Sequence, residues 1–175
     1  MENIKTSIVY DQDQIQKRVK EIAQVLTQSF KGKRVVAIGM LKGSFRFYCD
    51  LVSAMDLDIL CDFYSASSYG LRNKPSTEVR LSLDVQVDLQ DKHVILIEDI
   101  VDRGITLNSV LSHLKARKPQ SITTVTLIAK PDQMQKNVKM DYVGFEISGD
   151  PFLIGYGLDY REEFRNLPYI ARIET

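Results

Sequence analysis

Net charge is missing from this sequence: 23 Lys and Arg residues balance 23 Asp and Glu. Without an overall field a chain does not recruit nucleic acid or an anionic membrane, so any function built on charge has to be local. Long apolar runs are missing too. No segment approaches the roughly 18 apolar residues of a membrane span, and the opening MENIKTSIVYDQDQ lacks the apolar stretch of a secretory signal. Cysteine is scarce: Cys49 and Cys61 stand in apolar surroundings, in no C-x-x-C or other metal-type spacing. They read as core thiols in a reducing compartment, and the expectation is a cytoplasmic protein that binds neither nucleic acid nor membrane. Two phosphate-binding signatures are absent as well. There is no G-x-x-x-x-G-K-[ST], and the GYG of Gly155 to Gly157 lacks the rest of G-x-G-x-x-G, so Walker and Rossmann readings are weak. Internal repeats, low-complexity tracts and linkers are lacking, and the 175 residues are read as one domain, 1–175, large enough to bury a core without staples.

What is present alternates between two periods. DQDQIQKRVKEIAQVLTQSFKGK spaces Ile15, Val19, Ile22, Ala23, Leu26 and Phe30 as one face of a helix, with Asp11 or Asp13 as its cap and Gly32 at its end. RVVAIGML is a short β-branched run suited to a strand buried on both faces. SFRFYCDLVSAM returns to helical spacing, with Ser44 as a cap. LDILCDFYSA and EVRLSLDV read as strands, and the polar SSYGLRNKPST between them, with Gly70 and Pro75, reads as a mobile loop. VILIED is the most apolar strand, TLNSVLSHLKARKP is a helix stopped before Pro119, and SITTVTLIAK and DYVGFEI are further strands. The C-terminal stretch breaks into short β-like pieces. Strand and helix in alternation predict a parallel sheet covered on both faces, and such sheets bind ligands beyond the carboxyl ends of their strands.

The chemistry concentrates in HVILIEDIVDRGITLNSVL. If VILI is an interior strand, Glu98 and Asp99 emerge at its carboxyl end, because two unpaired carboxylates inside the sheet would be desolvated at great cost. Successive strand residues face opposite sides, so one acid can meet a ligand directly while the other acts through a metal or water. The following DRGIT runs into a helix start, where unpaired main-chain N–H groups and a partial positive charge favour an anion. Gly104 lets that anion approach the backbone, and Thr106 adds a hydroxyl or a helix cap. Carboxylates beside a phosphate cradle repel the ligand unless they face sugar hydroxyls or Mg²⁺, which takes oxygen ligands together with phosphate. A phosphorylated sugar with a metal-bound phosphate satisfies both. A capped helix after a polar strand end is the bland alternative.

VILIEDIVDRGITL resembles the phosphoribosyl pyrophosphate motif of type I phosphoribosyltransferases, specifically their 6-oxopurine branch. LKGS at Leu41, SSYG at Ser67, AKPD at Ala129 and FLIGYGLDYREEFR at Phe152 fall in that family's order. The resemblance implies an α/β chain of the type I phosphoribosyltransferase fold: a central, mostly parallel sheet flanked by helices, with a small hood and a flexible lid loop. It implies transfer of a phosphoribosyl group from phosphoribosyl pyrophosphate to N9 of hypoxanthine or guanine, with Mg²⁺, giving IMP or GMP and pyrophosphate, and by analogy a homodimer or homotetramer.

Residue by residue, the resemblance gives Glu98 and Asp99 to the ribose hydroxyls and the Mg²⁺ shell. Asp102, Arg103, Gly104, Ile105 and Thr106 go to the 5′-phosphate, Asp102 also facing purine N7 as general acid and base. Arg103 departs from the small Thr or Ser usual there. Leu41, Lys42 and Gly43 resemble the loop that meets pyrophosphate, with a cis bond before the lysine, and Ser44 replaces a frequent Gly. Lys130 matches the reader of the oxygen at C6, Phe152 the aromatic that stacks on the base, and Leu153 the residue whose main chain meets the ring edge. Asp159 matches a second metal-linked carboxylate beside the purine, and Arg165 a pyrophosphate-contacting arginine; without the family both read as surface charges, at most an i,i+6 pair. Ser68 and Tyr69 match the lid pair. Two rivals stand beside this reading: a non-catalytic sensor of phosphoribosyl pyrophosphate or nucleotides on the same fold, and a transferase for xanthine, adenine or a pyrimidine.

Overall fold

The computed structural model describes residues 4–68, 79–136 and 138–174. In chain order the elements are β1 (Thr6–Tyr10), α1 (Gln12–Phe30), β2 (Val35–Leu41), α2 (Phe45–Ala54), β3 (Ile59–Ser68), β4 (Val79–Leu83), β5 (His93–Val101), α3 (Ile105–Lys115), β6 (Ser121–Ala129), β7 (Tyr142–Glu146), β8 (Leu153–Ile154) and β9 (Ile170–Ile173). Six strands form the main sheet in the order β4-β3-β2-β5-β6-β7. Only β4 runs antiparallel, pairing with β3, and the other neighbours are parallel. A second sheet, β1-β9-β8, joins the two ends of the chain in antiparallel pairing and forms the hood.

The apolar pattern explains the layers. Along β5, Ile95 and Ile97 join one core cluster with Ile15, Leu26, Phe47 and Leu51 of α1 and α2, whereas Val94 and Leu96 join another with Leu107, Val110 and Leu114 of α3. A strand with apolar residues at every position is therefore buried on both faces, as a parallel sheet between helices requires. Asp11 caps α1: its side chain accepts from the Gln14 N–H, and the Gln14 side chain accepts from the Asp11 N–H.

Several expectations are corrected. Ser44 does not cap α2 through its side chain; buried, it donates instead to the Met40 carbonyl at 2.6 Å. Thr106 is not a cap either, because α3 begins at Ile105 after Gly104. Both cysteines are exposed rather than core. Cys49 lies off the α2 face that buries Phe47, Tyr48 and Leu51, and Cys61 is on β3, beyond β2 and β5 on which α2 packs. The run TSIVY near the N-terminus forms β1, unforeseen because its partner β9 lies at the far end of the chain. No helix among the described residues is long and apolar enough to cross a membrane.

Candidate active site

Taken alone, the five parallel strands have the order β3-β2-β5-β6-β7, so the connections turn opposite ways from β2 and β5. Ligand crevices in open α/β sheets form at such a switch point. Here the crevice has a backbone cause. β2 and β5 pair only as far as Gly39 and Ile97; beyond them β2 stays with β3 to Leu41 and Ser65, and β5 stays with β6 to Val101 and Ala129. Glu98 and Asp99 lie just past this parting. They are not beyond the end of their strand, as the apolar run suggested, but on a flank that its neighbour has left.

The two acids serve different sides. Glu98 lines a cavity of about 320 Å³ together with Asp102, Arg103, Gly104 and Thr106. Its Oε2 is shielded from solvent and has no hydrogen-bond partner among the described residues. Asp99 lies against the main chain of Gly43, where an added Cβ would overlap the carboxylate and sit 2.6 Å from its carboxyl carbon. Burial pushes both carboxyls upward, Glu98 well above the usual carboxylate range with the Asp99 charge adding to it. For Asp99 the rise is opposed by main-chain N–H donors and by Arg165 and reinforced by Asp159. Both acids are thus held where a ligand that brings hydroxyls or positive charge is needed to relieve them.

Gly104 opens α3 at φ +77° with no side-chain cap on the helix start. A Cβ there would collide with Val138, so the position requires glycine on both counts. The first N–H groups of an α-helix have no partner within the helix, and here they adjoin the cavity that Glu98 lines. Asp102 and Arg103 are exposed, Thr106 is half-buried, and the Arg103 carbonyl accepts from the Gln135 N–H at 3.3 Å, tying the turn to the segment after β6.

Across the crevice, the Leu41–Lys42 peptide bond is cis. Lys42 Nζ lies 3.1 Å from Glu162 Oε2, and the same oxygen lies 3.1 Å from Arg165 Nη2. Arg165 Nη2 also meets Asp159 Oδ1 at 2.7 Å, and its Nη1 donates to the Gly157 carbonyl at 2.8 Å. Asp159 and Arg165 are therefore a partly buried pair, not surface charges. Gly157, at φ +105°, packs so closely that a Cβ would overlap the Gly43 carbonyl oxygen. The hood, the β2 loop and the end of β5 thereby touch in sequence: Gly157, Gly43, Asp99.

On the far side, buried Lys130 follows β6 and donates from Nζ to Asp150 Oδ1 at 2.6 Å and to the Pro151 carbonyl at 2.9 Å. Phe152 is 53% exposed, an unusual position for a large apolar ring, and meets Tyr160 edge-on at 5.5 Å between centroids. It borders a hollow of about 690 Å³ with Asp150, Pro151 and Tyr160. Leu153 is buried in β8. Asp150 and Glu162 went unnoticed in the sequence: Asp150 meets Lys130 across 20 residues and Glu162 meets Lys42 across 120, and only the i,i+3 spacing of Glu162 to Arg165 offered a local signal. Tyr69 and the Ser68 side chain lie outside the described residues.

The donor set suits a hard cation only in part. Glu98, Asp99 and Asp159 offer carboxylate oxygens, yet among the described residues no group of three or more His, Cys, Asp or Glu converges on one metal position. Such an arrangement fits Mg²⁺, which takes one or two carboxylates and completes its shell with water and substrate phosphate.

The family model described as phosphoribosyl transferase domain matches residues 5–161. The chain is 40% identical over 164 residues to the hypoxanthine-guanine phosphoribosyltransferase of Bacillus subtilis (strain 168), covering 94% of this chain and 91% of that one. The crystal structure of a hypoxanthine phosphoribosyltransferase from Staphylococcus aureus superposes with a TM-score of 0.92 at 38% identity, covering 98% of this chain and 92% of the other. A hypoxanthine-guanine phosphoribosyltransferase from Bacillus anthracis, solved with a HEPES molecule in its active site, superposes with a TM-score of 0.91 at 40% identity, over 98% and 100% of the chains.

Proposed function

Because the chain belongs to the phosphoribosyltransferase family, we propose that it is a purine-salvage transferase moving the 5-phosphoribosyl group of phosphoribosyl pyrophosphate to N9 of hypoxanthine or guanine. The products are IMP or GMP and pyrophosphate. The observation that carries the reading is the parting of β2 from β5, which brings the acids Glu98 and Asp99, the 102–106 turn and the Gly43 main chain to one crevice.

Each part of the crevice has a task in that reaction. The N–H groups at the start of α3, with Gly104 leaving room, hold the 5′-phosphate. Glu98 and Asp99 accept hydrogen bonds from the ribose hydroxyls, which suits two carboxylates in a half-buried setting. Lys42 and Arg165 hold the pyrophosphate. Of Glu98, Asp99 and Asp159, one or two at a time would hold Mg²⁺ beside water and substrate phosphate, and the ion would supply charge neutralisation for the pyrophosphate.

Phe152 offers an exposed ring face to the purine, and the Leu153 main chain meets the ring edge. The ammonium of Lys130 donates and cannot accept, so it favours an oxygen over an amino group at C6. As N9 bonds to C1′, the C1′–O bond to pyrophosphate breaks and its electron pair leaves with the pyrophosphate. The proton on N7 passes to the carboxylate of Asp102. Alignment and charge stabilisation supply most of the acceleration.

The test is nucleotide formation from hypoxanthine, guanine, xanthine and adenine, each with and without Mg²⁺. Activity with hypoxanthine or guanine is expected, and only with the metal. Activity with adenine alone overturns the assignment of Lys130. Uptake of phosphoribosyl pyrophosphate without turnover of any base favours a sensor instead.

A further inference from the structure

Glu162 has no role in the reaction as described, yet it occupies a revealing place. One of its oxygens, Oε2, lies 3.1 Å from both Lys42 Nζ and Arg165 Nη2, the two cations assigned above to pyrophosphate. A single oxygen shared by an ammonium and a guanidinium is what a phosphoryl oxygen would make of the same pair. We propose that Glu162 is an exchange carboxylate: it fills the pyrophosphate subsite when no ligand is bound, swings out as the pyrophosphate group enters, and returns as pyrophosphate leaves. The inference rests on the transferase reading and deepens it.

Three observations support the exchange. First, the side chain is 66% exposed, so its carboxylate can move without disturbing the core. Second, its backbone is fixed. Glu162 sits at φ +67°, its N–H donates to Asp159 Oδ2 at 2.9 Å, and the neighbouring Tyr160 and Glu163 close a bridge. The tip therefore swings from a constant origin. Third, Arg165 does not depend on Glu162 for its position, because Asp159 and the Gly157 carbonyl hold the guanidinium when Glu162 departs.

The consequence is a weaker grip on pyrophosphate than the two cations would otherwise have, because binding begins from a subsite already satisfied. Part of the population must open before the anion can enter, and affinity falls by that fraction. Release gains correspondingly, since the carboxylate is ready to replace the departing anion.

The experiment is calorimetry of inorganic pyrophosphate, with Mg²⁺ present, on the full-length wild type, Glu162→Gln and Glu163→Gln. Both variants remove one negative charge from adjacent exposed positions, but only in Glu162→Gln does the charge removed face Lys42 and Arg165, leaving them a weaker neutral acceptor. Glu162→Gln is expected to bind pyrophosphate about three- to ten-fold more tightly, and to show stronger product inhibition, while Glu163→Gln changes by less than about two-fold. A merely structural role predicts the opposite sign. Equal or weaker binding by Glu162→Gln, or equal tightening in both variants, overturns the exchange. If the wild type takes up no pyrophosphate at all, the assignment of Lys42 and Arg165 fails, and this inference with it.

Discussion

Gly43→Ala tests how closely the crevice is assembled. The φ of Gly43 lies outside the left-handed range, so alanine meets no backbone objection there; the obstacle is the Asp99 carboxyl. The new methyl carbon would stand 2.6 Å from the Asp99 carboxyl carbon, whereas ordinary carbon contacts begin near about 3.5 Å. The carboxylate oxygen Oδ2 would be closer still, so the carboxyl must turn aside and withdraw by at least about 1 Å, or the Leu41–Gly43 loop must lift by as much. Overpacking of this kind costs about 1–3 kcal/mol, which for a chain of this length lowers Tm by roughly 2–12 °C. Function should suffer more than stability, because a displacement of about 1 Å at a positioning group costs on the order of 10² in rate. The loss should fall on kcat/KM for phosphoribosyl pyrophosphate, with the KM for the base little changed, since Phe152 and Lys130 lie on the other side of the site. Steady-state assays of nucleotide formation, with Tm read by calorimetry on the same samples, separate the two effects. Wild-type kcat/KM in a variant with alanine at this position would show that the contact between Gly43 and Asp99 has no part in catalysis.

Four other outcomes are expected. Asp102→Asn, at an exposed position, should lower turnover by roughly 10²–10⁴ while calorimetry finds phosphoribosyl pyrophosphate bound about as before. Glu98→Gln should raise the Tm of the ligand-free protein by about 2–4 °C at alkaline pH, where burial makes ionising this carboxyl costly and its Oε2 has no partner among the described residues, and little at acid pH, where it is neutral, while weakening phosphoribosyl pyrophosphate binding by about ten-fold or more. Phe152→Ala should raise the KM for the base by about ten-fold, the worth of one base stacked on an aromatic ring, with Tm nearly unchanged because the ring is half in solvent. Gly104→Ala has to accept both a left-handed φ and a collision with Val138, so it should lose about 2 kcal/mol or more of stability, seen in denaturant melts, together with phosphate affinity.

The layers of the fold were legible because β5 states them outright: a run with apolar residues at every position can only be a strand between two helical layers. The acidic pair and the glycine turn after it were legible for a related reason. Charges that interrupt such an apolar run cannot stay in the double-sided core, though the structure places them within β5, where β2 has parted from it, and not after its end. What the sequence concealed depends on distant partners. β1 is five residues with ordinary β-forming character, and only its pairing with β9 makes it a strand of the hood. Ser44 has the residue type of a cap, but burial gives its hydroxyl a nearer acceptor in the Met40 carbonyl. Glu98 and Asp99 looked like residues past a strand end because the parting of β2 from β5 is a property of three strands at once. Asp150 and Glu162 are unremarkable acids until folding sets them against Lys130 and Lys42.

These last two pairings bear on the absence of net charge with which the chain presents itself. A site for a ligand with several phosphates is commonly expected to hold bare cations, and a basic patch to betray them. Here Lys130 holds Asp150, while Lys42 and Arg165 share Glu162, with Asp159 on the arginine. Lys130, Lys42 and Arg165 thus each already meet a carboxylate within the fold, and on the proposed reading pyrophosphate binding at Lys42 and Arg165 becomes an exchange of one anion for another. Exchange leaves little field at a distance, so a chain of balanced charge can serve a phosphate ligand without a basic patch. The crevice acids complete the logic. Among the described residues the buried atoms left without a partner are Glu98 Oε2 and Arg165 Nε, an acceptor at the acidic side and a donor at the basic side, which on the proposed reading call for hydroxyls or a metal ion and for a phosphate oxygen.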